Sequence, residues 1–155
     1  LTHLSENGVR DFRETLDTKR DIRSLVFTGF QRCLYPIQRF DSDSERRFAI
    51  ILEDDPDVLG WFKPARDQFH IFYHKDRRYE PDFVVETKDF KVMAEPKRRD
   101  EIETKEVQQK AEAAREWCRY ATEHGKKHGE KPWKYVLVPH DEIEHGRRLA
   151  SFFTG

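Results

Sequence analysis

The hydrophobic and polar positions of this chain follow two periods, and the switches between them mark its elements. Asp41-Ser42-Asp43-Ser44-Glu45 opens a stretch whose apolar residues Phe48, Ala49, Ile51 and Leu52 recur at helical spacing. Ser42 and Glu45 stand at capping-box spacing, so a helix is expected to start there, and Asp54-Asp55-Pro56-Asp57 to end it. Glu45 lies three and four residues before Phe48 and Ala49, which projects it from the core-facing side. The period then shortens to two. Residues 58–63 are apolar around Trp61, Phe69, Ile71 and Tyr73 alternate as in a strand, and residues 74–79 read as a basic turn. Residues 82–87 and 90–97, joined by a tight turn at Lys88-Asp89, predict a hairpin.

Helical spacing returns between Glu103 and about Glu123, where Val107, Ala111, Ala114, Cys118 and Ala121 make one apolar stripe. Residues 124–132 are a polar loop in which His124 and His128 read as solvent-exposed. The apolar run 133–139 is expected as a central strand, and Asp141 as the cap of a last helix carrying Ile143, Leu149, Phe152 and Phe153. The start of the chain is less regular. Residues 9–24 read as one exposed helix, followed by an apolar patch of Leu25, Val26, Phe27 and Phe30 near Gly29. Residues 1–40 are thus expected to be an N-terminal helical extension or the tail of a preceding domain, and residues 41–155 a core domain. The order of elements predicts an α/β fold, a mixed central sheet with helices on both faces.

Composition narrows this picture. A chain of 155 residues with 36% apolar, 38% charged and 13% aromatic residues suits one modest core inside a heavily charged shell. The 29 Lys and Arg nearly cancel the 30 Asp and Glu, which excludes a uniformly basic nucleic-acid coat. Cys33 and Cys118 form no metal spacing and read as reduced intracellular thiols. No run approaches the length of a membrane span. The chain starts at Leu1 without targeting character and is expected to be a fragment of a longer protein.

The candidate chemistry lies on the hairpin. Asp82 opens its first strand after Pro81, and Glu95 and Lys97 end its second on one face, separated by Pro96. Two adjacent carboxylates attract a hard cation such as Mg²⁺, which takes oxygen ligands and lowers the pKa of a bound water. Lys97 adds positive charge beside that water and a phosphate. In so charged a chain the same three residues could also be a strand-end Asp and a same-face ion pair. Their place on a hairpin, behind an acid-bearing helix, favours a site.

The segment Tyr79-Glu80-Pro81-Asp82-Phe83-Val84-Val85, followed by Met93-Ala94-Glu95-Pro96-Lys97, resembles the PD-(D/E)XK nuclease signature. Phe40-Asp41-Ser42-Asp43-Ser44-Glu45-Arg46-Arg47-Phe48-Ala49, residues 58–63 and Ala111-Glu112-Ala113-Ala114-Arg115-Glu116-Trp117-Cys118 resemble the C-terminal endonuclease domain of type III restriction enzyme Res subunits. The resemblance runs from residue 25 to residue 140. It implies a restriction-endonuclease-like αβββαβ core and Mg²⁺-dependent cleavage of double-stranded DNA in the prokaryotic cytoplasm. It also implies an ATP-dependent helicase or translocase upstream in the same polypeptide and a methyltransferase (Mod) subunit that carries sequence recognition. Asp82 and Glu95 would hold the metal, Lys97 would assist the attacking water, and Glu45 would help hold metal or its waters.

Pro96 departs from an ordinary strand residue because it has no N–H, so Glu95 is expected at a sheet edge or bulge. Gln108 could line the site or sit on a solvated helix face. Lys75, Arg77, Arg78, Arg98 and Arg99 flank the acids and could contact phosphates, or belong to solvated loops. The competing function class is a catalytically inactive nucleic-acid-binding or docking module attached to a helicase.

Overall fold

The structure, a computed structural model, describes residues 8–16, 21–65, 68–69, 71–73 and 77–153. In chain order its elements are β1 (Val9–Asp11), β2 (Val26–Thr28), α1 (Asp43–Asp54), β3 (Val58–Phe62), β4 (Ile71–Tyr73), β5 (Arg77–Tyr79), β6 (Phe83–Thr87), β7 (Lys91–Lys97), α2 (Arg99–Ile102), α3 (Lys105–Lys126) and β8 (Trp133–Pro139). Short turns of 3-10 helix lie at Ile22–Ser24, His140–Glu142 and Leu149–Phe152. No helix among the described residues is long and apolar enough to cross a membrane.

Thr87 makes the tight turn of the expected hairpin. Its hydroxyl accepts from the Phe90 N–H at 2.9 Å and bonds the Phe90 carbonyl at 3.1 Å, while its own N–H donates to that carbonyl at 2.7 Å. From this turn the antiparallel ladder runs through Glu86↔Lys91, Val85↔Val92 and Val84↔Met93 to Phe83↔Ala94. β3 pairs antiparallel with the other side of β6, and β8 pairs parallel with β7, so the mixed sheet has the order β3-β6-β7-β8. Alternation along the strands gives the sheet two apolar faces. Phe83, Val85, Val92, Ala94, Val136 and Val138 join Phe48, Ile51 and Leu52 of α1 in the main core. Met93 joins Ala114 and Cys118 of α3, with Ile71 and Tyr79, in a second cluster. Helices thus lie on both faces.

Four expectations are corrected. The run 133–139 is an edge strand, not a central one; its apolar residues are buried beneath α3 and the C-terminal turns rather than between strands. Residues 9–24 do not form one helix. β1 instead pairs parallel with β2, and Phe12 and Phe27 enter the main core. One of the charges that suggested a solvated helix face is a tether, since Arg13 bonds Asp54 of α1 at 2.7 Å; from α1 the buried Arg46 donates to the Phe12 carbonyl at 2.9 Å. The segment read as a basic turn contains β5, which pairs with β4 through Phe72↔Arg78. The last helix is replaced by two 3-10 turns. Gly146, at φ 87°, breaks the helical path between them, and Asp141 bonds Arg99 rather than a helix start.

Glu53 ties the N-terminal loops to this frame. It is 6% exposed, yet its carboxylate accepts from the Gln31 and Arg32 N–H groups at 2.6 and 2.8 Å and from the Trp61 indole at 2.8 Å. A buried carboxylate so fully bonded is stabilising, and its loss orphans three donors. Glu53→Ala is therefore expected to lower stability by about 3 kcal/mol or more in urea unfolding, and Glu53→Gln, which keeps one acceptor, by less. A loss under about 1 kcal/mol for the alanine variant would show that the network contributes little.

Candidate active site at the open end of the sheet

Carrying the β6–β7 register one residue past Phe83↔Ala94 sets Asp82 against Glu95. The ladder bonds fall at alternate pairs, Thr87 with Phe90 being one of them. Asp82 and Glu95 therefore face each other between ladder bonds, where opposed side chains come closest. Lys97, two residues on, shares the Glu95 face. The expectation about Pro96 is corrected here. Glu95 lies at neither an edge nor a bulge, because β7 is a central strand paired to β8 along its whole length. Lys91 N–H donates to the Pro132 carbonyl, so odd-numbered residues of β7 bond β8, and Pro96 directs its missing N–H toward β6. At that level the β6 pairing has already ended.

Glu95 is 3% exposed and accepts a hydrogen bond from the Tyr135 hydroxyl at 3.2 Å. Burial first, then the Asp82 charge, pushes its carboxyl up to about 8, while Lys97 and the Tyr135 bond oppose the shift. Burial likewise raises Asp82 to about 6, with Lys63 opposing and Glu45 adding to the rise. Burial and the Glu95 charge keep the Tyr79 and Tyr135 hydroxyls protonated. Asp82 opens onto a cleft of about 220 Å³, whose walls include Glu45, Lys97, Arg98 and His140.

The α1 side of this cleft is organised by one ion pair. The Ser42 hydroxyl caps α1 by accepting from the Glu45 N–H at 3.2 Å, as the spacing predicts. The Glu45 carboxylate does not close a reciprocal box on Ser42. Its Oε1 accepts from the Asp41 N–H at 3.3 Å and from Lys63 Nζ at 2.7 Å. The same ammonium donates to the Asp82 carbonyl at 3.2 Å and lies 4.5 Å from the Phe83 ring centroid.

Sequence reasoning did not single out Lys63, Tyr135 or His140. For Lys63 the available signal was register: antiparallel pairing of β3 with β6 brings the end of the 58–63 run to Asp82. Tyr135 reaches Glu95 only through the parallel β7–β8 pairing, which local pattern does not encode.

The flanking residues divide. Arg98 reaches the cleft but pairs with Asp100 and Glu101 at 3.3 and 2.9 Å. Arg99 is clamped by Asp141 and Glu142 at 2.8 and 2.6 Å. Gln108 is exposed, and its amide donates to the Ile102 carbonyl at 2.6 Å, which ties α3 to α2 rather than lining the cleft. Arg78 is exposed on β5, and Arg77 belongs to the same strand. Lys75 lies outside the described residues.

Among the described residues no group of three or more His, Cys, Asp or Glu is arranged around one point as a metal cage. Mg²⁺ does not need one, since one or two carboxylates suffice with water and phosphate oxygens. Asp82 and Glu95 are hard oxygen donors on adjacent strands, each held toward its protonated form by burial and by acidic neighbours. A bound cation relieves that situation, and in this sense the residues present fit a divalent ion. No model of a known protein family matches the chain, and no curated protein matches it.

The raised carboxyls have a consequence for stability without metal. The unfolded chain releases these protons near the ordinary carboxylate range, whereas the folded chain keeps the Glu95 proton to about pH 8. Between those limits the folded state binds more protons, so this residue's contribution falls as pH rises. In chelator-treated protein the stability of Glu95→Gln relative to wild type is expected to grow steadily from about pH 4.5 to pH 8. Urea melts across that range, yielding a constant difference, would refute the assignment.

Proposed function

We propose that the chain is a Mg²⁺-dependent endonuclease of the PD-(D/E)XK kind that hydrolyses DNA phosphodiester bonds. In this reading it is the cleavage module of a type III restriction enzyme, working beside an ATP-driven translocase of the same polypeptide and a methyltransferase subunit. The observation that carries the reading is the Asp82–Glu95 cross-strand pair, with Lys97 on the same face at the open end of the sheet. Chain order adds support: α1, the antiparallel strands β3, β6 and β7, then α3 and the parallel β8 fit an αβββαβ core, with the β4–β5 hairpin inserted.

Each residue then has a task. Asp82 and Glu95 offer carboxylate oxygens, and the Tyr135 hydroxyl holds the Glu95 carboxylate in one orientation. A divalent ion bound by them would lower the pKa of a water and neutralise charge on the scissile phosphate. Lys97 lines the cleft and forms no ion pair among the described residues, so its ammonium can meet the phosphate or orient the attacking water. With Arg98 and Arg99 engaged by acids of their own and a net charge of −1, the domain has little grip on DNA by itself. This suits a module delivered to its substrate by a larger assembly.

Supercoiled plasmid tests the proposal. With Mg²⁺ the protein is expected to nick or linearise it, and Asp82→Ala, Glu95→Ala and Lys97→Ala each to slow cleavage by roughly 10²-fold or more. Lys97→Ala is expected to leave circular dichroism and melting unchanged. Cleavage by all three variants at the wild-type rate would refute the site. DNA binding by wild type without any cleavage would replace the enzyme reading with that of a docking module.

A further inference from the structure

The resemblance implies that Glu45 helps to hold metal, but its carboxylate is already engaged by a cation of the protein's own. Lys63 Nζ sits 2.7 Å from Glu45 Oε1, with side chains 13% and 7% exposed, so the pair is largely withdrawn from solvent. Three acceptors fix the ammonium: that oxygen, the Asp82 carbonyl at 3.2 Å and the face of Phe83 at 4.5 Å. The Asp41 N–H occupies a further position on the same Glu45 oxygen. A lysine held on three sides, between the Glu45 carboxylate and the Asp82 backbone carbonyl, occupies the position that a metal ion bridging α1 and the hairpin would need.

We propose that Lys63 is a built-in counter-cation that stands in for a second divalent ion, so that the site takes a single ion at Asp82 and Glu95 and Glu45 is not a ligand. The inference rests on the metal-dependent reading of the site and specifies how many ions that site accepts. Charge balance supports it. Glu45, Asp82 and Glu95 carry three negative charges when ionised, and Lys63 and Lys97 carry two positive charges. One divalent ion turns that charge of −1 into +1, and two would leave +3; of the other carboxylates lining the cleft, Glu101 is paired with Arg98 and Asp41 is exposed to solvent. Removing the Lys63 charge lowers the starting value and releases Glu45, which makes room for another ion.

Mn²⁺ counted by electron paramagnetic resonance during titration tests the proposal. Wild type is expected to bind one Mn²⁺ per chain, and Lys63→Met to bind two. Lys63→Arg, which keeps the charge, and the paired change Lys63→Met with Glu45→Gln are each expected to bind one. Glu45→Gln alone should also retain one Mn²⁺ per chain, and this variant keeps the proposal falsifiable should Lys63→Met fail to fold. Two ions on wild type, one on folded Lys63→Met, or loss of the ion from Glu45→Gln would overturn it. Asp82→Asn separates this failure from that of the underlying reading. If Asp82→Asn still binds Mn²⁺ as wild type does, the metal site itself is wrong. If it loses the ion while Lys63→Met still binds one, only the role of Lys63 falls.

Discussion

The arrangement turns on two carboxylates being forced together where water is scarce. The β6–β7 register fixes Asp82 opposite Glu95, and hydrophobic packing on both faces of the sheet leaves that register no room to slip. A shift by one residue would bring Phe83 and Val92 out of the core and Met93 away from α3. The core thus stabilises an electrostatic arrangement that is unfavourable by itself. The surrounding polar groups temper it: Tyr135 donates to Glu95, Lys63 bridges Glu45 and Asp82, and Lys97 sits on the open side.

The hairpin, α1 and α3 were legible in the sequence because each is specified locally. Alternation, the Ser42 cap and the stripe from Val107 to Cys118 involve residues within a few positions of one another. The three candidate residues stood out for the same reason, since a single hairpin carries them. Lys63, Tyr135 and His140 come to the site by β3–β6 and β7–β8 pairing and by the chain leaving β8. These are long-range facts that no window of sequence contains.

The failures at the two ends have a common physical cause. Around Phe12 the charged residues looked like the wet face of a helix, yet Arg13 ties to Asp54 of α1, and Arg46 of α1 reaches back to the Phe12 carbonyl. At the C-terminal end Leu149 and Phe152 have the apolar character of a helix stripe, but they reach the core from a turn whose Leu149 N–H donates to buried Asp55. In both segments apolar anchors and charged tethers do the work of regular structure. The same economy shows in Arg99 and Gln108, which brace α2 against its neighbours instead of lining the cleft.

The two prolines flanking the acids act together. Past Phe83↔Ala94, the next rung of the ladder would join residue 81 to residue 96, and both are proline. Neither has a hydrogen to give, so the two strands cannot zip further, whatever their side chains favour. Asp82, between ladder positions, turns its backbone toward β3, and its carbonyl accepts from Lys63 beyond the end of that strand. The mouth of the site is kept from closing by two absent hydrogens, a wedge made of nothing but missing donors.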